Sequence, residues 1–479
     1  MSGAIQAITA PPVRARHVMA VACTSLGFFV VQLDGSIVNV ALPQIGDSLR
    51  VGVDGLQWAV DAYFLAFAAF LLSSGALSDR LGARRAFVSG FVLFSAASLA
   101  CALSTSVTVL VMARALQGSG AAVLVPCSLS LLNNACGDDA AARAQAIGIW
   151  TAAGGVALAA GPVAGGVLVG LLGWWSIFLV NVPIGVIGIW MTVRFVDELK
   201  PVAGRGSLDL TGQILAVVSI LGLVGAIIEI GRSGREAPFV IFGVLLATIA
   251  GGGFLITEYR AAEPLVPLEM FRHPIFRAAV LIGFVVNLVV FGLSFAFAIY
   301  FQRLLFYSPV ATGLALLPFA LMVTVANVVG GRIAARVGSQ LPMIVGLLVT
   351  AVGFALLCPV GKATTYLGLL PGQLLIRIGI GLVVPPMTTA VLATVDRARS
   401  GIASGILNAT RQTGGAIGVA LFGALVAWKP IRGMHIAFMV SATLLVLVAF
   451  VAIACFRSSK LEVLKLRNWE QDHDQSKPY

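Results

Sequence analysis

Charged side chains are scarce in this chain. Asp, Glu, Lys and Arg make up 11% of its 479 residues, where a soluble domain carries about 25%. With 59% hydrophobic residues and a mean hydropathy of +1.00, the shortage excludes a string of soluble domains. Long apolar spans run from end to end, so the bilayer is the solvent of the whole chain rather than of one anchor. A P-loop, GxxxxGK[ST], is missing, and no segment is large enough for a soluble ATPase, which argues against ATP-driven pumping within this chain. The six cysteines (Cys23, Cys101, Cys127, Cys136, Cys358 and Cys455) have neither paired nor metal-ligand spacing. They read as small buried residues. The four histidines are scattered. No metal site, cofactor or catalytic dyad is expected, and therefore no enzyme.

Negative charge is the scarcer sign, and the net charge is +11. In a soluble protein that excess would suggest nucleic acid. Here the basic residues lie mostly in short loops beside apolar spans, where they set topology and meet anionic headgroups. Nucleic-acid binding is not expected.

What the chain does have is hydrophobic length. About 20 residues at 1.5 Å rise cross a roughly 30 Å hydrocarbon core. Fourteen such spans are read at about 18–45, 55–76, 83–104, 107–131, 144–171, 174–194, 210–231, 237–257, 276–302, 309–333, 341–360, 366–393, 401–427 and 435–457. Residues 1–17, with Arg14 and Arg16, resemble a signal-peptide front end, but no small-residue cleavage site follows. The first span is read as retained. With the N-terminus in the cytoplasm, cytoplasmic loops and tails hold 21 Lys and Arg against 7 in the outer loops, and three lie within spans. That excess places both termini in the cytoplasm.

The stretch Gly75–Arg85, GALSDRLGARR, is a short basic turn between two spans. Shifted by 256 residues, Gly75, Arg80, Gly82 and Gly90 fall on Gly331, Arg336, Gly338 and Gly346 without a gap. The chain has duplicated a helix–loop–helix unit in one orientation, as parallel-repeat transporters do. The expected organisation is a tail at 1–17, a six-helix bundle at 18–196, and a linker with an inserted helix pair at 197–275. A second six-helix bundle at 276–457 and a charged, mobile tail at 458–479 complete it. The connections Asp197–Asp209 and Glu258–Arg277 read as hinges flanking the inserted pair.

Polar groups inside spans are costly, about 2.5–3.5 kcal/mol for a charge at the bilayer centre. LDGSIVNVALP places Asp34 in span 1, QWAVDAYFLAF places Asp61 in span 2, and ARALQGSG places Arg114 in span 4, all at similar depth. Either Asp34 and Asp61 carry protons and meet a cationic substrate while Arg114 tunes them, or Asp34 caps or pairs locally, Asp61 sits in the interface and Arg114 is a structural pin. The second half has Arg377 in span 12 and Arg411 in span 13 with no carboxylate at matching depth, only Gln373, Asn408 and Gln412. Trp58, Tyr63, Phe64 and Phe67 could line an aromatic pocket for a planar cation. Gln117, Asn408, Arg411 and Gln412 join Trp58 and Tyr63 as candidate cavity residues. Glu229, at the end of span 7, is expected at the interface. Trp174, Trp175 and Phe178 read as an interfacial belt. In span 5, GGVALAAGPVAGG offers Gly161, Gly165 and Gly166 for close helix approach, with a kink at Pro162.

These stretches together resemble the major facilitator superfamily, and within it the fourteen-helix drug:proton antiporters. LDGSIVNVALP is similar to the first-helix motif of that family. Gly75, Asp79, Arg80, Gly82, Arg84 and Arg85 lie in a stretch resembling the loop between helices 2 and 3. RALQGSG resembles the helix-4 motif, whose arginine, here Arg114, is associated with proton coupling. GPVAGG resembles the helix-5 antiporter motif, and WWSIFLVNVPIG follows it as in the family. EPLVPLEMFRHPIFRAA and YSPVATGLALLP are also similar to family segments. The resemblance implies an all-α integral membrane protein of the major facilitator fold: two pseudo-symmetric six-helix bundles plus an inserted pair. It implies proton-driven export of drugs by alternating access at the bacterial cytoplasmic membrane. The pairing of Asp34 with VDAY at Asp61 looks most like exporters of quaternary ammonium compounds and dyes. A dedicated exporter of one antibiotic or metabolite is the alternative, and a nutrient symporter a more distant one. Expected partners are the substrate, protons and lipid, with the protein a monomer. Two departures count: Ala335 replaces the repeat partner of Asp79, and span 10 offers only Asn327 where exporters of multivalent cations carry acidic residues.

Overall fold

A backbone immersed in hydrocarbon must satisfy its own hydrogen bonds, which leaves the helix as the only form for spans of this composition. The computed structural model describes residues 13–136, 139–198, 209–234, 237–261, 264–361, 364–396 and 399–474. Among the described residues there is no strand. The helices are α1 (Val13–Leu49), α2 (Val53–Leu81), α3 (Ala83–Ala102), α4 (Val107–Ala135) and α5 (Ala140–Leu172). Next come α6 (Ser176–Phe195, interrupted at Val180), α7 (Leu210–Ser233) and α8 (Pro238–Arg260). The remainder are α9 (Pro274–Ile299), α10 (Pro309–Val337), α11 (Gln340–Leu357), α12 (Tyr366–Ala393), α13 (Ser400–Trp428) and α14 (Pro430–Asp474). The order matches the fourteen expected spans.

Among the described residues, twelve helical spans are long and apolar enough to cross a membrane by length and composition. The two long helices outside that measure are α2 and α13, each 29 residues. On α13, Asn408, Arg411 and Gln412 lie on interior turns, which lowers hydropathy without shortening the helix; the side chains of part of α2 lie outside the described residues that the measure covers. Beyond Ser458 α14 continues as helix to Asp474, into the segment expected to be a mobile tail. Most of the Asp197–Asp209 hinge lies outside the described residues.

The repeat is visible in the backbone. Gly82 ends α2 with φ 86° and Gly338 ends α10 with φ 82°, a conformation that costs a side chain with Cβ. Gly82 N–H donates to Ser78 O at 3.0 Å and Gly338 N–H to Ala334 O at 2.9 Å, the same bond 256 residues apart. Farther along, Gly90 lets α3 approach Leu124 of α4, and Gly346 lets α11 approach Gly379 of α12.

By contact density the chain divides into two units. One comprises the residues up to Gln213 together with Ala298–Leu317, the other Ile214–Phe297 together with the residues from Pro318 on. Of the three divisions, one falls beside a π-helical turn at Tyr300–Leu304, one at Pro318 inside α10, both features that commonly bend a helix, and one within α7 after Gln213. In the first unit α2 packs on α4, α1 on α5 and α3 on α4. In the second, α11 packs on α12 and α14. The inserted pair is joined through small residues. Cβ atoms added at Gly222 and Gly243 would each lie 2.8 Å from the carbonyl oxygen of the other, and Ser219 Oγ donates to Ala247 O at 2.9 Å.

Candidate functional site

The first unit buries a carboxylate among three donors from two helices. Asp34, on α1, is 0% exposed. Its Oδ2 accepts from Arg114 Nη1 at 2.6 Å. Its Oδ1 accepts from Gln117 Nε2 at 2.8 Å and from Asn181 Nδ2 at 2.9 Å. Arg114 and Gln117 stand three apart on α4 and so share a face; Asn181 comes from α6. A second ring holds the donors. Gln117 Oε1 accepts from Arg114 Nη1 at 2.7 Å, and Ser98 Oγ of α3 accepts from Gln117 and Asn181 at 3.0 Å each. Ser98 in turn donates to Phe178 O at 2.9 Å.

Arg114 also reaches α2, where its Nε donates to Ala59 O at 3.2 Å. Its guanidinium lies over the Tyr63 ring, 4.2 Å from the centroid, and 5.6 Å from that of Phe178. The ion pair is thus wrapped by aromatic faces and amide donors, while Arg114 Nη2 and Asn181 Oδ1 are buried without a hydrogen-bond partner among the described residues.

This geometry revises several expectations. Tyr63 and Gln117, expected to line a cavity, are buried around Arg114. Trp58 is half-buried. Trp175 is exposed as a belt residue should be, but Trp174 and Phe178 are buried: the turn after Gly173 directs Phe178 inward over Arg114. Asn181 and Ser98 were not singled out in the sequence. Asn181 had a signal, an amide in the apolar run WWSIFLVNVPIG; Ser98 had none.

Asp61 does not join the cluster. It is 0% exposed, and neither carboxylate oxygen has a hydrogen-bond partner among the described residues. At 100° per residue it stands on the far side of α2 from Tyr63, so the helix that covers Arg114 with one face carries a bare carboxylate on another. Such a group costs several kcal/mol unless a proton or a cationic ligand neutralises it.

In the second unit, Asn408 Nδ2 donates to Ser404 O at 3.0 Å, and Arg411 Nη1 is 3.4 Å from Asn408 Oδ1. Gln412 Oε1 is buried without a partner among the described residues.

The Major Facilitator Superfamily profile matches residues 24–419 and residues 279–478. The chain belongs to the Major Facilitator Superfamily. It is a membrane transporter of small molecules and not an enzyme. The multidrug resistance protein Stp of Mycobacterium tuberculosis is 37% identical over 406 residues, 85% of this chain and 75% of that protein. The methylenomycin A resistance protein of Streptomyces coelicolor is 35% identical over 397 residues, 83% of each. A solved structure of a peptide transporter bound to sulfate covers 94% of this chain and 99% of its own, with TM-score 0.70 and 13% identity. That likeness concerns the fold.

Two of the stretches that resemble family motifs are built by glycine. In RALQGSG, a Cβ at Gly118 would overlap the carbonyl oxygen of Tyr63, and one at Gly120 would lie 2.8 Å from Phe94 N. Glycine there lets α4 touch α2 and α3 at the level of Arg114. Gly118→Val is expected to cost about 1–3 kcal/mol through this overlap. Thermal unfolding in detergent reads it, and an unchanged midpoint would show that α2 and α4 are not in such contact. In GPVAGG, Gly161 faces Ser36 and Gly165 faces Ile37 on α1, while Gly166 faces Pro309 at the start of α10. Pro162 lies inside α5, and its carbonyl meets Gly313 of α10. Both α5 faces are therefore occupied by helix backbone.

In the turn between α2 and α3, Arg84 Nη2 donates to Val193 O near the end of α6 at 2.6 Å, and Arg85 Nε lies 3.6 Å from Glu198 Oε2. Gly75 and the side chains of Asp79 and Arg80 lie outside the described residues. Because Arg84 satisfies a helix-end carbonyl, Arg84→Ala should lower transport severalfold while changing stability little, as exposed contacts do. Intact transport would remove this turn from the working cycle.

Proposed function

We propose that this transporter is a proton-coupled exporter of toxic small molecules, working by alternating access in a bacterial cytoplasmic membrane. Both termini face the cytoplasm, as the excess of basic residues on one side favours. It works as a monomer and without a cofactor, driven by the proton gradient and by a membrane potential worth about 2.3 kcal/mol per charge per 100 mV. Relatives named for multidrug and methylenomycin A resistance support export.

The observation that carries the coupling is Asp61, a wholly buried carboxylate with no partner among the described residues. A proton from outside neutralises it in one state, and a lipophilic cation, such as a quaternary ammonium compound or dye, takes that place in the other. Asp34 holds Arg114 and through it the α2 turn bearing Ala59 and Tyr63, so rearrangement of the pair would move the helix that carries Asp61. In the alternating-access cycle the bundles at 18–196 and 276–457 rock, with the inserted pair joining them in sequence. A second reading, one dedicated antibiotic as substrate, is favoured by the relative named for resistance to a single compound.

Inverted vesicles holding an acid-inside gradient test the proposal. Ethidium or a quaternary ammonium biocide should collapse part of the gradient in vesicles containing the protein and not in empty ones. Collapse by a single antibiotic alone would favour the dedicated exporter. No proton movement with a transported compound would sink the antiport.

A further inference from the structure

Acidic residues almost vanish from the second half of the chain. Asp396 is the only Asp or Glu between Met270 and Leu461, and it lies in the connection between α12 and α13. Within that stretch α12 carries Arg377 and α13 carries Arg411, both on interior turns. A guanidinium is not relieved by losing a proton, so in a bilayer it needs an anionic or strongly polar partner. Nε of Arg377 and Nε of Arg411 are both buried with no hydrogen-bond partner among the described residues. Among the described residues Arg411 has only the 3.4 Å approach to Asn408 Oδ1, at the weak end of hydrogen bonding.

The packing turns these groups toward one region. A Cβ on Gly283 of α9 would lie 2.9 Å from Leu407 Cδ1 and 3.2 Å from Arg411 Cγ, both of α13, and 3.3 Å from Met387 Sδ of α12. On α12, Gln373, Arg377 and Met387 fall within an arc of about 80°. Gln373 is 1% exposed, and neither of its amide atoms has a partner among the described residues. One turn beyond Arg377, a Cβ on Gly381 would lie 2.8 Å from the backbone nitrogen of Asn327 on α10, whose side-chain oxygen is also unpartnered there. Measured from the helix ends that the Asp396 connection joins, Arg377 and Arg411 stand at roughly 24 Å and 16 Å. Two extended arginine side chains span that difference.

We infer that Arg377 and Arg411, with Gln373, recognise an acidic group on the exported compound: a carboxylate, enolate or phenolate. Guanidinium forks bind planar, delocalised oxyanions through paired charge-assisted bonds, and the Gln373 amide supplies a further donor. The inference rests on the export reading and widens its substrates from lipophilic cations to zwitterions.

Rhodamine B, a zwitterion with a free carboxylate, and its cationic ethyl ester differ at that one group. Uptake of both is measured in energised inverted vesicles, and binding of both in detergent by fluorescence polarisation. Wild type is expected to favour the acid. Arg411→Gln and Arg377→Gln should each lower the acid-to-ester ratio about tenfold, the scale of a lost charged hydrogen bond. Arg411→Lys, which keeps the charge and not the fork, should recover part of it. An unchanged ratio in binding and uptake, parallel loss of both dyes in all three variants, or a wild type that handles only the ester would overturn the inference and leave export standing. A wild type that moves neither dye, and whose gradient ethidium does not collapse, would overturn export as well.

Discussion

Arg114→Ala is expected to abolish transport and to cost about 3–5 kcal/mol of stability, the range for breaking a buried pair from one side. The reason is what the deletion leaves behind. Asp34 would keep its bonds from Gln117 and Asn181 but lose its counter-charge at 0% exposure. The cavity where the guanidinium lay against Tyr63 adds to the cost. Combining Asp34→Asn with Arg114→Gln removes both charges together and should recover most of the stability, since neutral replacement of a buried pair is often tolerated. It should not recover transport. Thermal unfolding in detergent and vesicle uptake separate the two effects. If Arg114→Ala unfolds with the wild type, the pair is not buried as described. If the double variant transports normally, the pair is structural only.

Asp61→Asn should do the reverse: keep the fold and lose the coupling. Asn is nearly isosteric with Asp, and Asp61 has no hydrogen bond to forfeit among the described residues, so unfolding should be unchanged or shifted upward as the charge is removed. Proton release driven by substrate should fall more than about tenfold, as expected for an intramembrane carboxylate that relays protons. Asp61→Glu, which keeps the titrating group, should retain part of it. Gradient collapse by ethidium in Asp61→Asn vesicles at the wild-type rate would exclude Asp61 as the carrier.

The sequence by itself determined the solvent, the helices and the repeat. These depend on near neighbours: an apolar run of sufficient length is a span wherever it packs, and GALSDRLGARR needs a left-handed glycine at Gly82 just as its copy does at Gly338. It also singled out Asp34, Asp61 and Arg114, because charge in a span is conspicuous. Their relations were decided only by the tertiary structure. The three donors to Asp34 come from positions 80, 83 and 147 residues away, and which of them meets it depends on helix neighbours and on rotation about each axis. Neither leaves a mark on hydropathy. Rotation is also why Asp61, two residues from Ala59 and from Tyr63, is bare while both of those touch Arg114. It likewise divides Trp174 and Phe178, which turn inward, from Trp175, which stays exposed. Hydropathy measures what a span is made of, and the role of each polar group on it follows from the direction it faces.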